Sequence, residues 1–154
     1  MAVAALLALA GCCDEAAQQA CLQREAQRAQ LVPVQQSPEA AAIDSPFRLE
    51  VRKSADIALE ASVVGAGCGN GKGEGAEIKL AWKITKPGAV GVRVLVSQGN
   101  ADGKLWMQGA AVDEGVTGPW INNGSRLVLE DQGNGRVLAE VAAMAQACAG
   151  SAVR

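Results

Sequence analysis

From Phe47 onward, apolar and polar residues alternate with a period of two. Phe47, Leu49 and Val51 alternate with Arg48, Glu50 and Arg52, and Ile57, Leu59, Ala61 and Val63 alternate with Ala58, Glu60 and Ser62. Successive side chains of a strand point to opposite faces, so each stretch predicts a half-buried β-strand. The clearest runs from Glu77 to Ile84, where Ile78, Leu80, Trp82 and Ile84 share one face and Glu77, Lys79 and Lys83 the other. Past a Lys86-Pro87-Gly88 turn, Val90, Val92, Val94 and Val96 again share a face. Leu105 and Met107 then alternate with Lys104, Trp106 and Gln108, which predicts an outward Trp106 beside Lys104. Arg126 to Glu130, with Leu127 and Leu129 inward, and Arg136 to about Met144 complete the set. Between these two, Asp131-Gln132-Gly133-Asn134-Gly135 predicts a hairpin turn whose glycines supply positive φ. The closing AEVAAMAQACAG is Ala-rich and has helical propensity. Val137 and Val141 nevertheless continue the alternation straight out of the hairpin, which favours a strand.

About seven short strands, punctuated by Gly, Pro and Asn and with no amphipathic helix among them, predict an all-β antiparallel sandwich over residues 47–148. Before it the pattern differs. Residues 14–30 are rich in Ala, Gln, Glu and Arg, with acids first and Arg24 and Arg28 toward the end, as a helix dipole prefers. Leu22 is their one large apolar residue, so no stripe exists to bury, and the segment reads as a polar, partly helical stalk. Residues 31–46 carry three prolines and no periodicity, which predicts a linker able to reach about 50 Å when extended. Residues 149–154 form a tail.

Met1 to Ala10 is an unbroken apolar run ending at Gly11, Cys12 and Cys13. Ten residues are too few to cross a bilayer, which takes about 20 in a helix. A short apolar core closed by small residues has the form of a secretory signal. Leu9-Ala10-Gly11-Cys12 resembles the lipobox of bacterial lipoproteins. That resemblance implies removal of residues 1–11 and a diacylglyceryl group on the sulfur of Cys12, which becomes the first mature residue. The run lacks the Lys or Arg with which such signals usually open. Acyl chains anchor stably at about 0.8 kcal/mol per buried methylene. The expected address is therefore the cell envelope, and Cys13 in place of Asp after the acylated residue favours the outer membrane over the inner.

Composition narrows the chemistry. The chain has 154 residues, enough for one core, and a net charge of -2, which gives no basic footprint for nucleic acid. It has no histidine and no tyrosine. Histidine general bases, Ser-His-Asp or Cys-His machinery and His-ligated metals are thereby excluded.

"EIKLAWKIT", "GVRVLVS", "KLWMQGA", "TGPW" and "SRLVLEDQGNGRVLAEV" resemble successive strands of a bacterial immunoglobulin-like or fibronectin type III-like domain, with Trp82 as its buried strand tryptophan. The family implies a scaffold for binding or spacing. Cys68 precedes the Trp82 strand and Cys148 follows the last one, so a sandwich can bring them together as a disulfide. Cys13 and Cys21 lie about 12 Å apart along a helix, too far for a bridge. They can link two chains, pair in an unwound stalk or stay free.

"GAGCGNGKGEG", residues 65–75, falls one residue short of phosphate-loop spacing, lacks the Ser or Thr after Gly71-Lys72 and leads into a strand. It reads instead as a flexible inter-strand loop held by Cys68. Asp113-Glu114 and Glu130-Asp131 are the adjacent carboxylate pairs of the globular part, and both read as solvated turn or strand-end charges. Asp131 and Asn134 could offer oxygens to calcium, without the carboxylate density of a tight site. Trp106 with Lys104 is the candidate partner-binding pair, because outward aromatics dominate interfaces. The plainer role for Trp106 is to cover a sheet edge, and Trp120 reads as a core corner.

The expected function is a non-catalytic, membrane-anchored module presenting a β-sandwich for protein or glycan binding or envelope attachment, with no cofactor beyond the lipid. An envelope inhibitor of a hydrolase such as lysozyme is the alternative. A carboxylate-dependent hydrolase comes third, and secretion or pilus assembly stays open.

Overall fold

Two antiparallel sheets face each other across one apolar core in the computed structural model, which describes residues 15–34, 45–69, 71–99 and 101–148. Cys12, Cys13, the apolar run before them, most of the expected linker and the tail lie outside the described residues. Helix α1 (Glu15–Ala29) is followed by β1 (Val32–Val34), β2 (Phe47–Lys53), β3 (Ile57–Gly69), β4 (Lys72–Ile84) and β5 (Gly91–Gln98). The remaining strands are β6 (Lys104–Ala110), β7 (Val112–Val116), β8 (Ser125–Asp131) and β9 (Val137–Ala145). One sheet has the order β1-β2-β9-β8-β5-β6 and the other β3-β4-β7.

The predicted alternation sets which side of β2, β4 and β5 is dry. Phe47, Leu49 and Val51 of β2 and Val92 and Val94 of β5 meet Ile78, Leu80 and Trp82 of β4 in the core. Leu127 and Leu129 of β8 and Val141 of β9 complete it. Trp82 is buried and its Nε1–H donates to the Ala110 carbonyl at 3.0 Å, so the polar tip of the ring is satisfied inside the fold. Val90, expected to share the face of Val92, precedes β5 and is exposed.

The chain is thus an all-β two-sheet structure, but its strand order is not that of an immunoglobulin domain. There the second and third strands lie in opposite sheets. Counting from β2, the corresponding β3 and β4 are hydrogen-bonded neighbours in one sheet. Nine strands stand where seven are predicted, the additions being β1 and β7. The three residues of β1 include Pro33, which reads as linker; at a sheet edge its missing N–H costs no ladder bond.

The stalk prediction is corrected. The C-terminal half of helix α1 docks on the outer face of the six-stranded sheet, held by polar contacts in place of an apolar stripe. The Val137 N–H donates to Gln27 Oε1 at 3.1 Å, Arg24 Nε stands 3.8 Å from Glu130 Oε1, and Arg28 Nε stands 3.3 Å from Glu140 Oε2. Leu31, just past the helix, is buried against Val128 and Val137. These partners belong to β8 and β9, about a hundred residues away, which is why the helix reads as solitary from its own sequence. Leu31→Ala is expected to loosen this docking by about 2 kcal/mol, the low end for a buried leucine, since the sandwich core is untouched. Faster hydrogen exchange at the Val137 amide, with the amides of β4 unchanged, is the signature.

The expected glycine-rich loop is also corrected. Residues 65–69 and 72–75 continue β3 and β4 as one long hairpin, with register shifts around Gly65 and Gly67. Gly71 has φ 75°, which favours glycine at the hairpin tip. The far end of this hairpin reaches the other sheet, where the Gly73 N–H donates to Gln146 O at 3.1 Å and the Cys148 N–H to Gly71 O at 3.0 Å. Here Cys68 and Cys148 form a disulfide, with Cα atoms 6.2 Å apart. The bridge ties the three-stranded sheet to the chain leaving β9.

Candidate binding edge

Strands β6 and β7 each form one edge of their sheets and follow one another in the chain, so both edges meet on one side of the sandwich. What this side presents depends on an irregularity in β6. Val94 pairs with Met107 and Leu95 with Leu105, so Trp106 falls out of the ladder. An extra residue in one strand resets the side-chain alternation beyond it. Trp106 and Met107 therefore both turn toward the core, while Leu105 is 54% exposed. This reverses the predicted outward Trp106 and inward Leu105. Lys104 is exposed at the start of β6.

Trp106 closes the open side between the sheets. A Cβ on Gly115 of β7 would run into the Met107 sulfur and come 3.3 Å from the Trp106 ring, so glycine there leaves the space these two side chains fill. Trp120 packs against it edge to face, with ring centroids 6.1 Å apart and planes at 71°. Trp120 itself is 41% exposed, so it is not the buried corner that the sequence predicts. Leu105, Val112 and Val116 are exposed on the same two edge strands. Of these, Val112 and Val116 escape sequence reading because Val112-Asp-Glu-Gly-Val is too short and too acidic to register as a strand.

The carboxylates near this edge are engaged structurally. Asp113 accepts the Ala110 N–H at 3.2 Å and the Glu114 N–H at 2.9 Å, closing the turn between β6 and β7. Glu114 pairs with Lys79 at 2.9 Å on the exposed face of the three-stranded sheet. The other pair divides between two jobs. Glu130 is almost fully buried and ion-paired with Arg93 at 2.8 Å and Arg24 at 3.8 Å. Asp131 accepts the Gly133 N–H at 2.8 Å and the Asn134 side-chain amide at 3.2 Å. The Asn134 side-chain Oδ1 accepts the Arg136 N–H at 2.9 Å, so the two side chains that could offer oxygens to calcium are occupied within the turn. Among the described residues no three His, Cys, Asp or Glu side chains gather as a metal-ligating group.

An open groove of about 460 Å³ runs along the β3–β4 hairpin beside Pro119, the neighbour of Trp120. Gly65, Gly67 and Gly75 form its floor, and Glu74 and Glu77 stand at it. The Glu77 carboxylate lies over Gly65, where a Cβ would meet its Oε2 at 3.0 Å. The spacing that suggests a phosphate loop thus belongs to a hairpin carrying acidic side chains, with no helix N-terminus behind it. Cys21 is a free, exposed thiol on α1.

Comparison with protein-family models, with curated proteins and with solved structures found no match for this chain.

Proposed function

We propose that this chain is a non-catalytic, lipid-anchored extracytoplasmic module, acylated on Cys12, that offers the β6–β7 edge to a protein partner. The observation that carries the reading is the Cys68–Cys148 disulfide, because such bridges form and persist in oxidising compartments outside the bacterial cytoplasm. The Leu9-Ala10-Gly11-Cys12 sequence supplies a matching export and anchoring signal. Cys13 in second place supports the outer membrane. No helix among the described residues is long and apolar enough to cross a membrane, so the lipid is the attachment this reading relies on. Exposed Leu105, Val112, Val116 and Trp120 along two edge strands support a protein partner, since edge strands accept extended segments through their free backbone groups.

The anchor is tested by intact mass. Expression of the full chain in a bacterium is expected to give envelope-bound protein that begins at residue 12 and carries two or three acyl chains. Cys12→Ser is expected to leave it unacylated, with residues 1–11 retained. A parent protein recovered from Met1 without an acyl adduct overturns the proposal.

A further inference from the structure

We infer that the outer face of the six-stranded sheet, with α1 laid across it, is the side that rests on the membrane, where Arg48 and Arg52 take the phosphates of anionic lipid headgroups. This rests on the lipid-anchored reading above and adds an orientation to it.

The first observation is a segregation of the arginines. Phe47, Leu49, Val51, Val92, Val94, Leu127 and Leu129 face the core, so Arg48, Arg52, Arg93 and Arg126 on the same strands face out. Arg24 and Arg28 of α1 reach onto this face from above. Six of the seven arginines among the described residues thus stand on one side of the molecule, and Arg136, paired with Asp56 at the start of β9, is the exception. Lys79 and Lys83 point outward from the opposite sheet.

The outer face of the sheet carries the glutamates Glu50, Glu130 and Glu140, and α1 itself carries Glu15 and Glu25, so six arginines stand against five glutamates. Glu130 is held between Arg93 and Arg24, and Glu140 between Arg126 at 3.6 Å and Arg28 at 3.3 Å. Each group of three carries a net positive charge. Arg48 and Arg52 are exposed and make no ion pair among the described residues. The face is net positive in a chain whose net charge is -2. Guanidinium groups match phosphate oxygens in a two-pronged geometry that ammonium groups lack, so a face of arginines suits a phosphate-bearing surface.

The second observation is continuity with the anchor. Cys12 precedes the first residue of α1 by three positions, which limits their separation to about 10 Å whatever path the chain takes. Because α1 is docked on the arginine face, acyl chains on Cys12 bring that face to the bilayer and leave the β3-β4-β7 sheet on the far side. A basic surface beside an anionic leaflet gains about fivefold in partition per arginine at low salt.

The test uses the chain from residue 12 onward carrying Cys12→Ser, which has no acyl group, in flotation with vesicles. Vesicles of phosphatidylcholine with 30% phosphatidylglycerol, against phosphatidylcholine alone, are the two probes, at roughly 50 mM salt, where screening is weak. Binding to the anionic vesicles alone is expected. Arg48→Gln with Arg52→Gln should weaken it about 25-fold, the product of two fivefold contributions. Lys79→Gln with Lys83→Gln, on the opposite sheet, should leave it within twofold, and both variants should melt within a few degrees of the parent, because Arg48, Arg52 and Lys83 are exposed and the Lys79–Glu114 pair is a surface one of small worth. Equal binding to both vesicle types, no binding to either, or equal loss in the two variants overturns the inference. Because no acyl group is present, failure here is distinct from failure of the anchor, which intact mass decides.

Discussion

Breaking the Cys68–Cys148 bridge is expected to lower the melting temperature by about 10–15 °C. The bridge closes a span with a sequence separation of 80. In the chain-entropy account such a loop constrains the unfolded state by about 4.5 kcal/mol. For a domain of this size each kcal/mol moves the midpoint by about 3–4 °C. The upper figure assumes that nothing else holds the hairpin end. Here the Gly73 and Cys148 amides also bond across the same junction, and they remain when the sulfurs part. Cys68→Ser, Cys148→Ser and the double variant should melt together, since each removes the same bridge. Reductant should bring the parent down to them and leave the variants where they are. Differential scanning calorimetry with and without reductant makes the comparison. Coincident melting of parent and Cys68→Ser under oxidising conditions would show that the bridge adds no stability.

The second large effect is expected at Arg93. Glu130 is only 1% exposed, so its carboxylate has almost no water to fall back on. Arg93 Nε donates to it at 2.8 Å, whereas Arg24 stands 3.8 Å from the other oxygen on a half-exposed side chain. Removing one partner of a buried pair leaves an uncompensated charge, and the loss for Arg93→Ala is expected at about 2–4 kcal/mol with Arg24 partly compensating. Arg24→Ala removes an exposed, longer contact and should cost less than about 1 kcal/mol. Arg93→Met with Glu130→Met should recover most of the loss, because the desolvation penalty leaves with the charge. Urea unfolding of the four proteins decides the point. Equal costs for the two single variants would mean that Glu130 is not held mainly by its neighbour strand.

Both effects arise where distant parts of the chain meet, and the two differ in how visible they are beforehand. Cys68 and Cys148 are the cysteines outside the first two dozen residues, flanking strands that alternation already identifies, so their pairing follows once a sandwich is assumed. Glu130 offers no such signal. In the sequence it is one half of Glu130-Asp131, at a strand end before a Gly-rich turn, where charges are ordinarily solvated. Arg93, across the ladder from Glu130, and α1, from the other end of the molecule, make it a buried ion.

The candidate edge shows the same division. The half-buried strands were legible because one face of an antiparallel sheet is dry, and that imposes a period of two on the residues themselves. The turn at residues 131–135 was legible because Gly135, at φ 69°, meets a local requirement, although Gly133, expected to do the same, does not adopt positive φ. The facing of Trp106 was not, since a single unpaired residue in β6 exchanges inside for outside, and whether a residue is unpaired is settled by the partner strand β5. Strands β1 and β7 are too short to declare themselves and exist because β2 and β4 present free ladders to them.

By itself the sequence determined the all-β class, the location of seven strands, the buried Trp82 and the exclusion of histidine chemistry, because periodicity, turn residues and composition are properties of the chain read locally. Only the tertiary structure decided the strand order, the docking of α1, the extension of the glycine-rich stretch into a hairpin and the closing of the edge by Trp106 and Trp120. Each of these depends on which segments, far apart in the chain, come to share a ladder or a buried face. That choice is made by the free energy of the whole assembly and leaves no mark on any one stretch of residues.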